Sequence, residues 1–260
     1  MTDHATDLLE AYDSGGQLPP FAQAYGVDLA QANTIVAQIS ARRQARGERI
    51  VGRKIGFTNR SIWELYNVDA PMWAPMYDTT VAALPADGVV TLPKLAEPRI
   101  EPEIAFCFSA SPAPGMTVAE IAGCVEWIAH GFEIVTSPFP NWTFSLPDCT
   151  AAQSLHGCFW YGPPRSMPAD PGTLERFSMT LHGPRGTLHG HATDVLDGPL
   201  HAVRFLMGEL ANQPGATPIA PGEIVTTGTL TDAGPVAPGE TWQTELAGID
   251  LPGATIHVAQ

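Results

Sequence analysis

Arg99-Ile100-Glu101-Pro102-Glu103-Ile104-Ala105-Phe106-Cys107-Phe108 reads as a strand that becomes wholly apolar after its second glutamate. Strand side chains alternate between faces, so Glu101 and Glu103 leave the same one. Two like charges held close together beside a core are costly unless something positive lies between them. A third carboxylate, Glu133, sits in another apolar run, Gly131-Phe132-Glu133-Ile134-Val135. With no Cys or His interleaved, these carboxylates offer an all-oxygen donor set, which suits Mg²⁺ or Mn²⁺ better than zinc. An exposed strand edge, marked by Pro102, is the competing reading of the Glu101–Glu103 pair.

Outward from this strand the chain is β-rich and heavily punctuated, with 25 Gly and 25 Pro. Further strands are expected over 49–57, 132–136, 158–161, 177–182, 187–191, 223–227 and 241–246. The pair 177–191 reads as a hairpin turning at Gly183-Pro184-Arg185-Gly186. Helical signals gather early. A short first helix precedes the loop Asp13-Ser14-Gly15-Gly16. Asp28 and Gln31 then have capping-box spacing, followed by Ala32, Ile35, Val36 and Ile39 on one face. Arg42, Arg43 and Arg46 crowd the last turn before Gly47, as the helix dipole favours. A second box, Thr117 with Glu120, predicts a helix that buries Ile121, Cys124, Val125 and Ile128. A third helix starts at Pro199 and buries Leu200, Val203, Leu206 and Leu210. No repeat or linker interrupts the chain. The expected fold class is mixed, β-rich α+β: one catalytic domain over 1–260, with a helical N-terminal section over 1–50 and a β-rich core over 51–260.

Composition narrows the partners. A net charge of −14 over 260 residues disfavours nucleic acid, whose phosphates need a basic face. An anionic substrate would be repelled at long range and would need a local positive centre. No apolar run reaches membrane-spanning length, and the N-terminus lacks the features of a signal peptide. Cys107, Cys124, Cys149 and Cys158 form no Cys-x-x-Cys pair, which fits a reduced cytoplasmic protein.

Lys54 is one of only two lysines and lies in the glycine-flanked strand Gly52-Arg53-Lys54-Ile55-Gly56. Partial burial would lower its pKa and let it exchange protons near neutrality; a lysine snorkelling from a sheet face is the alternative. Asp78 follows a Pro-rich segment and is either a turn former or a residue near the site, and Asp148 is similar. His182, His189 and His191 fall on the hairpin without metal-ligand spacing and are expected at the surface. The motifs of serine hydrolases, NTPases and dinucleotide enzymes are absent.

Taken together, these segments resemble the fumarylacetoacetate hydrolase superfamily, in its 2-keto-4-pentenoate hydratase and 4-oxalocrotonate decarboxylase branch. Gly52-Arg53-Lys54-Ile55-Gly56-Phe57-Thr58, Val68-Asp69-Ala70-Pro71, Pro98-Arg99-Ile100-Glu101-Pro102-Glu103-Ile104-Ala105-Phe106 and Ile224-Val225-Thr226-Thr227-Gly228 carry the likeness. The resemblance implies a bent, mixed β-roll and Mg²⁺ or Mn²⁺ on Glu101, Glu103 and Glu133. It also places Lys54 and Asp78 in the active site and implies homo-oligomers. The implied activity is that of a metal-dependent lyase of aromatic compound catabolism acting on a small anionic 2-hydroxydienoate or 2-oxo acid. Water addition is the first expectation, with decarboxylation or C–C hydrolysis of an acylpyruvate as alternatives. The hydrolases use a His/Glu pair; the comparable stretch here offers Glu64 without the histidine. One departure stands out. Where the hydratases usually carry Ala-Asp-Asn, this chain has Ala151-Ala152-Gln153. Loss of that carboxylate predicts a substrate bulkier, or differently charged at its far end, than the simplest pentadienoate.

Overall fold

A computed structural model describes residues 2–66, 68 and 70–260; Asp69 of the resemblance lies outside them. The strands are β1 (Ile50–Gly56), β2 (Met72–Tyr77), β3 (Val81–Ala83), β4 (Val89–Val90), β5 (Arg99–Phe108), β6 (Val125–Val135) and β7 (His156–Tyr161). They continue with β8 (Ser178–Gly183), β9 (Gly186–His191), β10 (Ile224–Thr229), β11 (Gly234–Pro235), β12 (Thr241–Ala247) and β13 (Thr255–Val258). The larger sheet runs β2-β1-β10-β5-β6-β7-β3, with β11 also pairing with β5, and the smaller runs β4-β13-β12-β8-β9. Both are mixed: β1–β10, β3–β7 and β4–β13 are parallel, the other pairs antiparallel.

The helices are α1 (His4–Ser14), α2 (Ala22–Tyr25), α3 (Leu29–Ala45), α4 (Trp63–Tyr66), α5 (Val118–Ala122), α6 (Leu146–Ala151) and α7 (Pro199–Asn212). The Asp28–Gln31 capping box forms as expected: Gln31 N–H donates to Asp28 at 2.8 Å and Asp28 N–H to Gln31 at 3.0 Å. Ala32, Ile35 and Ile39 are buried below it. They pack with Leu8 of α1 and with Cys149, Ala151 and Ala152 of the α6 region in one core cluster. A second cluster joins Phe106, Phe108 and Ile128 of the large sheet to Leu200, Val203 and Leu206 of α7.

One expectation needs correction, and one unassigned segment gains an element. The helix introduced by Thr117 has its capping box but ends at Ala122, with Gly123 as its C-cap. Val125 and Ile128 belong instead to β6, where Trp127 lies opposite Cys107 and Ile128 opposite Phe106. β-Branched and aromatic residues on a pleated surface outweigh a helical spacing there. The Pro-rich segment before Asp78 is a strand, β2. It lies at the sheet edge, where a proline that donates no ladder hydrogen bond is tolerated.

Asp148 secures the helical section to the core. It is buried at the start of α6, and its Oδ1 accepts from the backbone N–H groups of Phe21 at 2.9 Å and Ala22 at 2.8 Å. Its Oδ2 accepts from the Ser145 N–H at 3.0 Å and hydroxyl at 2.6 Å. Truncation would strand these buried donors. Asp148→Ala should therefore lower the unfolding free energy by about 2–4 kcal/mol, read as a lowered urea midpoint at constant slope. An unchanged midpoint would show that the tie contributes nothing.

Candidate active site

Strand alternation sends Arg53 and Lys54 of β1 to opposite faces. Arg53 pairs with Glu223 at 3.1 Å and with Thr217. Lys54, 2 % exposed, turns towards β5 and β6. Its Nζ donates to the Ser154 carbonyl at 2.9 Å and lies 3.4 Å from Glu133 Oε2. The register of the central pair explains why the glutamates meet. Glu101 of β5 stands directly opposite Glu133 of β6, and Glu103 opposite Gly131. Like charges in directly opposed positions destabilise a sheet. Here one carboxylate oxygen from each of Glu101, Glu103 and Glu133 lies within 4.8 Å of the others.

The surroundings compensate only in part. Glu103 and Glu133 are fully buried, and Glu101 is half-buried. Glu103 Oε2 accepts from the Gly228 N–H at 2.8 Å. Gly228 has φ +99°, and a Cβ there would fall 1.8 Å from Thr58 Oγ1, so this approach requires glycine. Glu133 Oε1 is held by His156 Nδ1 at 2.7 Å, and His156 Nε2 contacts Thr80 Oγ1 at 2.9 Å. Among the described residues, Glu103 Oε1 and Glu133 Oε2 are buried without a hydrogen-bond partner, although the Lys54 ammonium lies 3.4 Å from the latter.

The titration behaviour follows from this arrangement. Loss of hydration raises the Glu101 carboxyl to about 7, with Lys54 opposing and Glu133 reinforcing the shift. Loss of hydration, then the charges of Glu133 and Glu101, raise Glu103 well above the usual carboxylate range. Burial also works against the Glu133 charge, but the Lys54 ammonium and the His156 hydrogen bond outweigh it and hold this group low. Lys54 corrects the expectation of a depressed pKa. Burial pulls its ammonium down, but the fields of Glu133, Glu101 and Glu103 together push it above its ordinary value. Burial lowers His156, favouring a neutral ring that donates from Nδ1 to Glu133.

Lys54 and Glu101 line a cavity of about 240 Å³ with Phe57, Thr58, Arg99, Val135, Trp142, Ser154 and Leu155. The Arg99 guanidinium lies 4.0 Å over the Trp142 ring. Asp78 is not brought here. At the end of β2 its carboxylate accepts from the Arg49 N–H at 2.9 Å and Nε at 2.8 Å, and those hydrogen bonds lower its pKa. Thr80, two residues on, reaches the site instead, through His156. Ala152 is fully buried in the cluster under α3 and does not line the cavity. His182 is partly exposed, and His189 and His191 are exposed, on the β8–β9 hairpin as expected.

The sequence reading missed His156 and Ser154. His156 opens β7 opposite Val135, next to a register shift in the β6–β7 pair. Such irregularities re-aim side chains and leave no local sequence signal. Ser154 sits in a run of left-handed residues, Gln153 (φ 50°), Ser154 (φ 50°) and Leu155 (φ 62°). None of them is a residue type that announces this conformation.

A scan against protein-family models finds no match. The chain is 30% identical over 251 residues to the 2-hydroxyhexa-2,4-dienoate hydratase of Comamonas testosteroni, covering 93% of this chain and 92% of that one. It is 28% identical to the 4-oxalocrotonate decarboxylase of Pseudomonas sp. strain CF600, covering 85% and 79% respectively. Among solved structures, 4-oxalocrotonate decarboxylase from Pseudomonas putida G7, complexed with magnesium and adipate, shares the fold. Its TM-score is 0.88 at 24% identity, over 98% of this chain and 95% of that one. The mixed β-rich fold, the order of its motifs and near-full-length similarity agree: the chain belongs to the family of 2-hydroxydienoate hydratases and 4-oxalocrotonate decarboxylases, and it has the fold of fumarylacetoacetate hydrolase-like structures.

Proposed function

We propose that this protein is a divalent-metal-dependent lyase that adds water to a small anionic 2-hydroxydienoate through its 2-oxo-enoate form. The observation that carries this reading is the buried carboxylate group beside Lys54, with an oxygen on each of Glu103 and Glu133 that receives no hydrogen bond from the described residues. Burial of two such oxygens short of hydrogen bonds is costly, and a hard cation would satisfy both. Glu101, Glu103 and Glu133 would hold Mg²⁺ or Mn²⁺. Bound there, the ion would supply Lewis acidity to the oxygens of a 2-oxo acid and stabilise negative charge on them.

The chain's own groups do the rest. The Ser154 carbonyl orients the Lys54 ammonium at the cavity wall, where its Nζ holds a proton for transfer along the conjugated substrate. His156 fixes Glu133 Oε1 and so turns Oε2 towards Lys54. Phe57, Val135, Trp142 and Leu155 keep bulk water from one side of the cavity, and Arg99 adds positive charge where a chain of net charge −14 needs it. Decarboxylation uses the same electron sink, and its CO₂ product separates it from hydration. C–C hydrolysis fits less well: Glu64 is exposed and does not line the cavity. Asp78, bound to Arg49, is left out of the machinery. Homo-oligomeric assembly belongs to the same proposal and is read from the sedimentation coefficient.

Glu103→Gln should abolish Mg²⁺ and Mn²⁺ binding and turnover together. Calorimetry that finds wild-type affinity in the variant would dissociate Glu103 from the metal. Lys54→Met should lower kcat/KM by at least about 10²-fold with the fold intact. Near-wild-type turnover would remove Lys54 from the chemistry.

Metal-free stability should also depend on pH in a set direction. Glu101 is raised from 4.5 to about 7 in the folded state, so its contribution is full below 4.5 and is lost as pH rises through 7. Thermal melts of chelated protein should fall across that window, and added Mg²⁺ should suppress the fall. A flat profile, or one unaffected by Mg²⁺, would contradict the arrangement.

A further inference from the structure

Ser154 carries two polar groups into the site by different routes. Its carbonyl accepts from Lys54 Nζ at 2.9 Å. Its hydroxyl is buried and has no hydrogen-bond partner among the described residues, although Ser154 lines the cavity and is only 2 % exposed. The backbone there is left-handed at φ 50°, ψ 33°, within a run of three such residues. For residues other than glycine that conformation costs about 1–2 kcal/mol each. A buried hydroxyl without a partner adds a further desolvation cost. A segment that is strained and also leaves a hydroxyl unsatisfied gains nothing from either in the free protein. A second buried hydroxyl without a partner among the described residues, Thr58 Oγ1, lines the same cavity.

We propose that Ser154 is a substrate-binding residue whose hydroxyl donates to an anionic oxygen of the 2-oxo acid. The proposal rests on the metal-dependent 2-oxo acid reading given above. A carboxylate or 2-oxygen accepts hydrogen bonds only, which matches a hydroxyl that still has its proton to give. Lys54 Nζ already donates to the Ser154 carbonyl, so one residue positions the ammonium through its backbone and the substrate through its side chain. The turn that fixes both follows directly on Ala152, the C-cap of α6.

The test uses the full-length, Mg²⁺-loaded protein, with pyruvate as a non-reacting 2-oxo acid in calorimetry and 2-hydroxypenta-2,4-dienoate as substrate. Ser154→Ala and Ser154→Gly should each weaken pyruvate binding by roughly 10- to 100-fold and raise KM. Mg²⁺ affinity should stay at the wild-type value. The melting temperature should hold or rise, since neither variant loses a hydrogen bond and glycine relieves the left-handed strain. A structural role would instead lower the melting temperature and Mg²⁺ affinity together, and that result overturns the proposal. So does wild-type pyruvate affinity in both variants. Failure of the wild-type protein itself to bind Mg²⁺ would remove the underlying reading, and is seen before any variant is made.

Discussion

Glu101 and Glu133 face each other across β5 and β6, with Glu103 one step along the same face, and a single buried ammonium lies among them. Three ionised carboxylates against one lysine would leave an excess of negative charge in a region largely closed to water, and the raised Glu101 and Glu103 reflect it. Much of the local architecture answers that excess. β1 delivers Lys54, the glycine at 228 lets a backbone N–H approach Glu103, and β7 delivers His156 to Glu133. Among the described residues two carboxylate oxygens still lack a hydrogen bond, an imbalance that a divalent cation would redress.

The same electrostatic logic explains how the site receives an anion. The chain as a whole repels negatively charged molecules. Two positive groups nonetheless line the cavity, Lys54 and the Arg99 guanidinium stacked on Trp142. Recognition therefore depends on short-range contacts, where burial strengthens each interaction, and little on long-range steering.

What the sequence revealed was what local periodicity can encode. The same-face pair Glu101–Glu103 followed from strand alternation, and the apolar flanks of Glu133 marked it as buried. The helices with capping boxes began where their boxes stood. The misreadings arose where distant partners decide the outcome. Val125 and Ile128 fit a helix by spacing, yet β5 claims them as a strand. Asp78 adjoined a segment that does approach the site, but Arg49 takes its carboxylate. His156 and Ser154 depend on a register shift and on left-handed backbone, neither of which residue type announces. The departure at Ala152 was visible, but its methyl proves to be core.

The helical N-terminal section reaches both ends of α6. Asp148 at its start binds the backbone of Phe21 and Ala22, and the Tyr12 hydroxyl donates to the carbonyl of Ala152 at its end. The left-handed turn leaves α6 at that second anchor. The first two dozen residues thus behave as a clamp on the element that aims Ser154 and His156. Motion or loosening far from the carboxylates would be transmitted to them through a helix of six residues. Chain segments so remote from a site are ordinarily free to vary; in this protein they are tied to the helix from which the cavity-lining turn departs.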